Sequence, residues 1–453
     1  MRLRIFYLFI FLSISVASAQ TNANEYIPKN LDSIKGYLKA INLKFIDGID
    51  GKFSSKIKKI YKDRDEKVIK AIEDSAYVFN VRIKQNLDVL LRHVYDANPQ
   101  IHSKDYYFFI NNSLVPNAAC YGDGMFEINL GLLSRLDSED ELAFVICHEI
   151  AHMLLNHSLK GVTKAMLNLY SDETKNKIEE IKRQEYGRTR AALSVIDELN
   201  IDILNHSKEV EAQADSLGYI LFSNTKYKKP KALTALDKLK KVDDMVFSHP
   251  MKLDSVFNFE NYPFKAYWLE ENSTSLFDID KEINDFQLVS DSIKTHPEIV
   301  FRKEKLIQEF DIISEEKRDQ YFKDHLHEIK KDVNIKVVKS TFDLNFLDLA
   351  IYHLIERYNN RKIDIEYYHL YMAKVLQRLY EIKKTHEMGK YIPPKSNFSK
   401  EKQLNLIRLF LHNLELKEVE NLGFAYCDEN QPKMLNNKEF EDVYMFFKKI
   451  NNQ

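Results

Sequence analysis

Glu141-Leu-Ala-Phe-Val-Ile-Cys-His-Glu-Ile-Ala-His-Met-Leu-Leu155 is the stretch on which the reading of this chain turns. Within it, His148-Glu149-Ile150-Ala151-His152 is an HExxH motif. On a helix, residues four apart lie one turn apart on one face. His148 and His152 can therefore aim imidazole nitrogens at a single Zn²⁺ about 2.0–2.1 Å away. Glu149 points beside that pair, where a carboxylate can take a proton from a water activated by the metal. Apolar residues surround the polar trio, and a helix apolar nearly all round is a buried one. Buried His and Glu are costly unless paired or bound to metal, which favours zinc over a purely structural role. Cys147 reads as a small buried apolar residue rather than a ligand.

A second group lies downstream in Glu209-Val-Glu-Ala-Gln-Ala-Asp-Ser-Leu-Gly218. Glu211 and Asp215 are one helical turn apart. Glu211 can supply a third, carboxylate ligand, completing a His₂Glu set that leaves one position open for water. Asp215 can accept a hydrogen bond from the far nitrogen of a ligating histidine and fix its tautomer. Ala212, Ala214 and Gly218 allow close approach to the motif helix. A solvated acidic helix face is the ordinary alternative for such a pair. Glu209 is a rival ligand that lacks a partner Asp four residues on. His157 lies nine residues beyond His148, so helix rotation carries it off the ligand face, and it reads as a support for the site or a structural residue. Thr295-His296-Pro297, followed by Arg302 and Leu306, forms a third group. A His before Pro is extended or in a turn, and such a loop could bring His296 to the metal or to the oxyanion. His249-Pro250 is a similar pair, ranked below His296.

The 453 residues allow two to three domains. Hydrophobic content of 44% and charged content of 30% describe a globular chain. A net charge of −2 argues against a general nucleic-acid binder. With 11 Gly and 10 Pro, tight turns are scarce and helix dominates. The start is basic (Met1-Arg-Leu-Arg4), then apolar from Ile5 to Val16, then Ala17-Ser18-Ala19. Residues 1–19 thus read as a cleaved signal peptide, with Gln20 as the mature N-terminus. A membrane anchor is the alternative, but the run is short for a span. No second stretch is long and apolar enough to cross a membrane. The expectation is an exported protein, periplasmic or at the outer-membrane periphery, with membrane association peripheral at most. Cys120, Cys147 and Cys427 make neither a disulfide framework nor a zinc ribbon.

Residues 20–52 read as a loose N-terminal lead-in. From Phe53 to Asp96, apolar residues at three- and four-residue spacing predict two helices ending before Asn98-Pro99. Tyr106–Ile110 and Met125–Leu130 read as strands of one small sheet. Ser138 with Glu141 fits a capping box at the start of the motif helix. Beyond residue 310 the chain is helical, with strong amphipathic stretches at Leu347–Glu356 and Tyr368–Tyr380, and without a clear 34-residue period. The expected fold is mostly α with a small β-sheet (α+β), followed by a helical C-terminal domain over 311–453 that could bind an envelope protein partner.

Four separated motifs resemble, in order, those of the zinc metallopeptidase family that holds the CAAX prenyl protease, the heat-shock protease HtpX and the periplasmic protease BepA. Asn117-Ala-Ala-Cys-Tyr-Gly-Asp-Gly-Met-Phe-Glu-Ile-Asn-Leu-Gly-Leu-Leu133 resembles the family's strand segment. Glu141-Leu-Ala…His148-Glu-Ile-Ala-His152, with Asn156-His157 after it, resembles the motif helix. Glu211-Ala-Gln-Ala-Asp215-Ser-Leu-Gly218 and His296-Pro297…Arg302…Leu306 resemble the remaining two. The resemblance covers about residues 55–310. It implies a gluzincin metallopeptidase domain (53–310), whose sheet binds substrate backbone along its edge strand. It also implies one Zn²⁺ per chain held by His148, His152 and Glu211. In that picture Glu149 is the base, Asp215 orients a ligand, and His296 plugs the site or serves the oxyanion. Lacking the transmembrane helices of the membrane-embedded branch, the chain aligns with exported, soluble members. The function expected is zinc-dependent endopeptidase cleavage of exported or misfolded envelope proteins. The competing class is a latent or non-catalytic assembly factor or chaperone working through its C-terminal helices, which the intact ligands and Glu149 argue against.

Overall fold

The computed structural model describes residues 31–74, 76–183, 208–240, 247–271, 299–312, 325–396 and 401–452. The expected signal peptide and His296 lie outside these residues. The fold is mostly helical around a three-stranded sheet, as expected.

The N-terminal part differs from expectation. Residues 31–47 are not loose: they form helix α1 (Leu31–Asp47). Ile34, Leu38 and Ile41 share one face and pack against Phe109, Tyr121 and Met125 of the sheet region. The apolar residues of α1 are spaced for a helix, and Gly48 and Gly51 lie in the turn that follows it. Helices α2 (Ser54–Glu73) and α3 (Val81–Ala97) follow, the second capped by Asn80 and ending at Asn98 as its periodicity predicts.

Strands β1 (Tyr107–Asn111), β2 (Ala118–Cys120) and β3 (Met125–Asn129) make a sheet of order β1-β3-β2. β1 runs parallel to β3 and β2 antiparallel to it, so β2 is an edge. β3 does not bury one face and expose the other. Glu127, the polar residue of its alternation, is buried, accepting hydrogen bonds from Tyr77 Oη and Asn111 Nδ2.

A short helix, α4 (Leu130–Arg135), leads to the motif helix α5 (Glu139–Leu154). Ser138 caps α5 by accepting from the Glu141 N–H at 3.4 Å. The reciprocal half of the capping box is displaced by one residue: Glu141 Oε2 accepts from the Asp137 N–H, 2.7 Å away. The acidic first turn is favoured by the helix dipole and anchored from outside. Tyr227 Oη donates to Glu139 (2.6 Å), the Lys228 N–H to Asp140 (3.1 Å) and Thr234 Oγ1 to Glu141 (2.7 Å). α5 then runs buried through the core to Ala151. α6 (His157–Leu169) leaves it at 49°, after Asn156 in the left-handed conformation. α7 (Asp172–Arg183), α8 (described over 208–223), α9 (Lys231–Lys240) and α10 (Ile299–Phe310) complete this half.

Helices α11 (His325–Asp343), α12 (Leu347–Asn359), α13 (Ile365–Lys384), α14 (Lys402–Asn413), α15 (Leu416–Asn430) and α16 (Lys438–Asn451) form the C-terminal half. Packing does not divide the chain at residue 310. Leu326, Ile329, Val333 and Val337 of α11 join the core of α3, the sheet and α5. In the other direction, Phe247, Phe257, Phe259 and Trp268 join the C-terminal core. Trp268 is fully buried and donates through Nε1 to Glu418 of α15 at 2.9 Å. Among the described residues, no single helix is long and apolar enough to cross a membrane.

Candidate metal centre

α5 and α8 lie side by side because nothing protrudes between them. Ala212 and Ala214 are buried, and a Cβ added at Gly218 would stand 2.8 Å from His148 Cα. That contact brings Glu211 and Asp215 to the histidines. His148 Nε2 and His152 Nε2 are 3.1 Å apart, and Glu211 oxygens stand 3.5 Å from each. Tetrahedral zinc with bonds of about 2.0–2.1 Å sets its donor atoms about 3.3 Å apart. The three residues fit such an ion in both type and spacing, and all their donor atoms lie within 4.8 Å of one another. Glu209, the rival ligand, is exposed.

Behind the three donors stands a charged layer. Asp215 Oδ1 is 3.0 Å from His148 Nδ1, as its spacing predicts. Arg302 of α10, almost wholly buried, grips Asp215 with two hydrogen bonds, Nε–Oδ2 at 2.6 Å and Nη2–Oδ1 at 2.7 Å. Its Nη1 lies 2.8 Å from Glu211 Oε2. Sequence reasoning carried Arg302 only as part of a motif; its partner carboxylates lie 87 and more residues away in the chain.

The cage draws positive charge. Burial disfavours a proton on His148, but hydrogen bonds to Asp215 and Glu211 outweigh it and raise its pKa to about 10. Burial pushes the neighbouring His152 down to about 3, with the His148 charge acting in the same direction. Burial would also raise Glu211, yet the Arg302 charge holds it well below the usual carboxylate range, and Asp215 is lowered in the same way.

Glu149 is buried one position along from His148, against the edge of the sheet. Burial raises its pKa to about 7, opposed by the His148 charge and by the main-chain N–H of Cys120 in β2. Residues 117 and 121 bond to β3, so by alternation Ala118 and Cys120 turn their main-chain groups away from it, toward the side where Glu149 lies.

His157 is not a fourth donor to the cage. Its Nδ1 lies 3.0 Å from His152 Nδ1 and its Nε2 is 3.1 Å from Gln213 Oε1. The cause is the chain bend at Asn156 rather than rotation along one helix. Gln213 escaped the sequence reading; its place two residues after Glu211 carried no signal. His249 lies with the C-terminal helices, donating its N–H to Tyr352 Oη and facing Asn359 through Nε2. His296 lies outside the described residues; among the described residues the site brings together His148, Glu149, His152, Glu211 and Asp215, with Arg302, His157 and Gln213 behind them.

Peptidase family M48 is matched over residues 82–309, just over half of the chain and the part that builds this centre. A mitochondrial metalloendopeptidase, OMA1 of Arabidopsis thaliana, is 28% identical over 144 residues. That match covers 31% of this chain and 28% of the length of the plant protein.

Proposed function

The chain belongs to peptidase family M48, and from that premise we propose that it is a zinc-dependent endopeptidase that cleaves exported or misfolded envelope proteins. Its substrates as a class are proteins or peptides. The observation that carries the reading is the convergence of His148, His152 and Glu211 on one point, with the Glu149 carboxylate beside them. His148, His152 and Glu211 are the proposed zinc ligands. When bound, zinc supplies Lewis acidity to the scissile carbonyl and to a water.

The protein's own groups do the rest. Glu149 takes the proton of the attacking water on its carboxylate and delivers it to the leaving amine. Ala118, through its N–H and C=O, and Cys120, through its C=O, offer main-chain groups along the outer edge of β2, to which an extended substrate can add as a strand. Such docking places a peptide bond across Glu149. Asp215 and Arg302 hold His148 and Glu211 in place, since outer partners orient metal ligands. Within the family we align the chain with the exported, soluble members that resemble BepA. The basic, then apolar, then Ala17-Ser18-Ala19 start supports export and a periplasmic site of action. The C-terminal helices are the proposed seat of an envelope partner.

The test compares zinc content and casein cleavage for the mature wild type and Glu149→Gln. Both should bind one zinc, and the variant should lose at least about 100-fold in cleavage, the size of a general-base contribution. Full cleavage by Glu149→Gln would remove Glu149 from the mechanism.

A further inference from the structure

The two histidines of the cage are backed by different partners. His148 is backed by Asp215 and Arg302, a buried ion pair. His152 is backed by two uncharged side chains in series. Its Nδ1 faces His157 Nδ1 at 3.0 Å, and His157 Nε2 faces Gln213 Oε1 at 3.1 Å.

Two imidazole nitrogens that face each other at 3.0 Å share a single hydrogen, because one must donate and the other accept. The ends of the chain decide which one donates. At the inner end, His152 Nε2 lies 3.1 Å from His148 Nε2 and 3.5 Å from Glu211 Oε1, so it is the atom aimed into the cage. A metal there needs the lone pair of Nε2, and the hydrogen of a neutral ring must then sit on Nδ1. At the outer end, the Gln213 carbonyl oxygen accepts from His157 Nε2–H. This leaves the His157 Nδ1 lone pair to accept from His152 Nδ1–H. Both ends demand the same polarity. The reverse polarity places the His152 hydrogen on Nε2, inside the cage, where it blocks a metal.

We propose that His157 and Gln213 form an uncharged relay that locks His152 in its Nδ1–H tautomer and so presents Nε2 to the metal. His157 is thus a positioning residue and not a ligand. The bend at Asn156, φ 54°, is what turns His157 back toward His152. The relay rests on the reading of His148, His152 and Glu211 as zinc ligands.

The test measures zinc affinity of the mature chain by competition with a chromophoric chelator. His157→Ala should bind zinc about 10–100-fold more weakly, the usual effect of losing such a partner. His157→Asn should recover much of that loss, because Asn Oδ1 stands where the accepting Nδ1 stood. Gln213→Leu, at an exposed position and so without consequence for folding, should weaken zinc binding severalfold. Ring ¹⁵N spectra of the zinc-loaded wild type should show His157 as the Nε2–H tautomer. A His157 carrying its hydrogen on Nδ1, or a His157→Ala protein that folds and binds zinc like the wild type, overturns the relay while leaving the ligands standing. A wild type that takes up no zinc overturns the ligand assignment and the relay with it.

Discussion

Replacing Arg302 by Met tests the charged layer directly. The guanidinium is buried, 2.6 and 2.7 Å from the oxygens of the buried Asp215 and 2.8 Å from the half-buried Glu211. Met fills a similar volume but leaves Asp215 and Glu211 with only the site histidines to offset their charge. Removing one partner of a buried ion pair costs roughly 3–5 kcal/mol, because the abandoned charge stays desolvated. With a urea dependence of about 2 kcal/mol per M, that lowers the unfolding midpoint by about 1.5–2.5 M. The measurement belongs on chelator-treated protein, so that metal binding does not add its own stabilisation. A double variant, Arg302→Met with Asp215→Leu, separates charge from packing. If the unpaired carboxylate is the cause, removing it restores part of the loss, and the double variant is more stable than the sum of the two single changes predicts. An Arg302→Met protein with the wild-type midpoint would refute the argument. So would a double variant whose loss equals that sum.

Two further outcomes can be measured. Gly218→Ala places a Cβ 2.8 Å from His148 Cα and 3.0 Å from its nitrogen, both rigid main chain. α5 and α8 must then part, at about 1–3 kcal/mol of stability, with weaker zinc binding as Glu211 recedes; wild-type values for both in denaturation and zinc titration would contradict the close approach. N-terminal sequencing of the protein recovered from the cell envelope should begin at Gln20, and a chain still beginning at Met1 would point instead to an uncleaved anchor.

Much of the centre was legible because its chemistry is written at helical spacing. His148 and His152, and Glu211 and Asp215, are each one turn apart, and the small residues after Glu211 announced a close helix contact. The two helices α2 and α3, strands β1 and β3 and the Ser138 cap were legible for the same local reason, whereas the three-residue β2 is too short to show an alternation. Helix α1 carried a readable apolar stripe at Ile34, Leu38 and Ile41, but the neighbouring glycines masked it. The segment containing Phe257 and Trp268 could not be assigned to the C-terminal core, because its partners lie about 150 residues away.

By itself, then, the sequence determined which side chains could share a helix face, where α5 begins, and that a buried His-Glu-His set needs a counter-charge or a metal. Helical period and desolvation cost settle those matters within a few residues. Only the tertiary structure decided what stands behind the ligands. Arg302 reaches Asp215 and Glu211, and Gln213 reaches His157, because helices far apart in the chain pack at distances set by Gly218 and by the bend at Asn156. Contacts of that kind depend on how whole helices dock, and no local spacing records them.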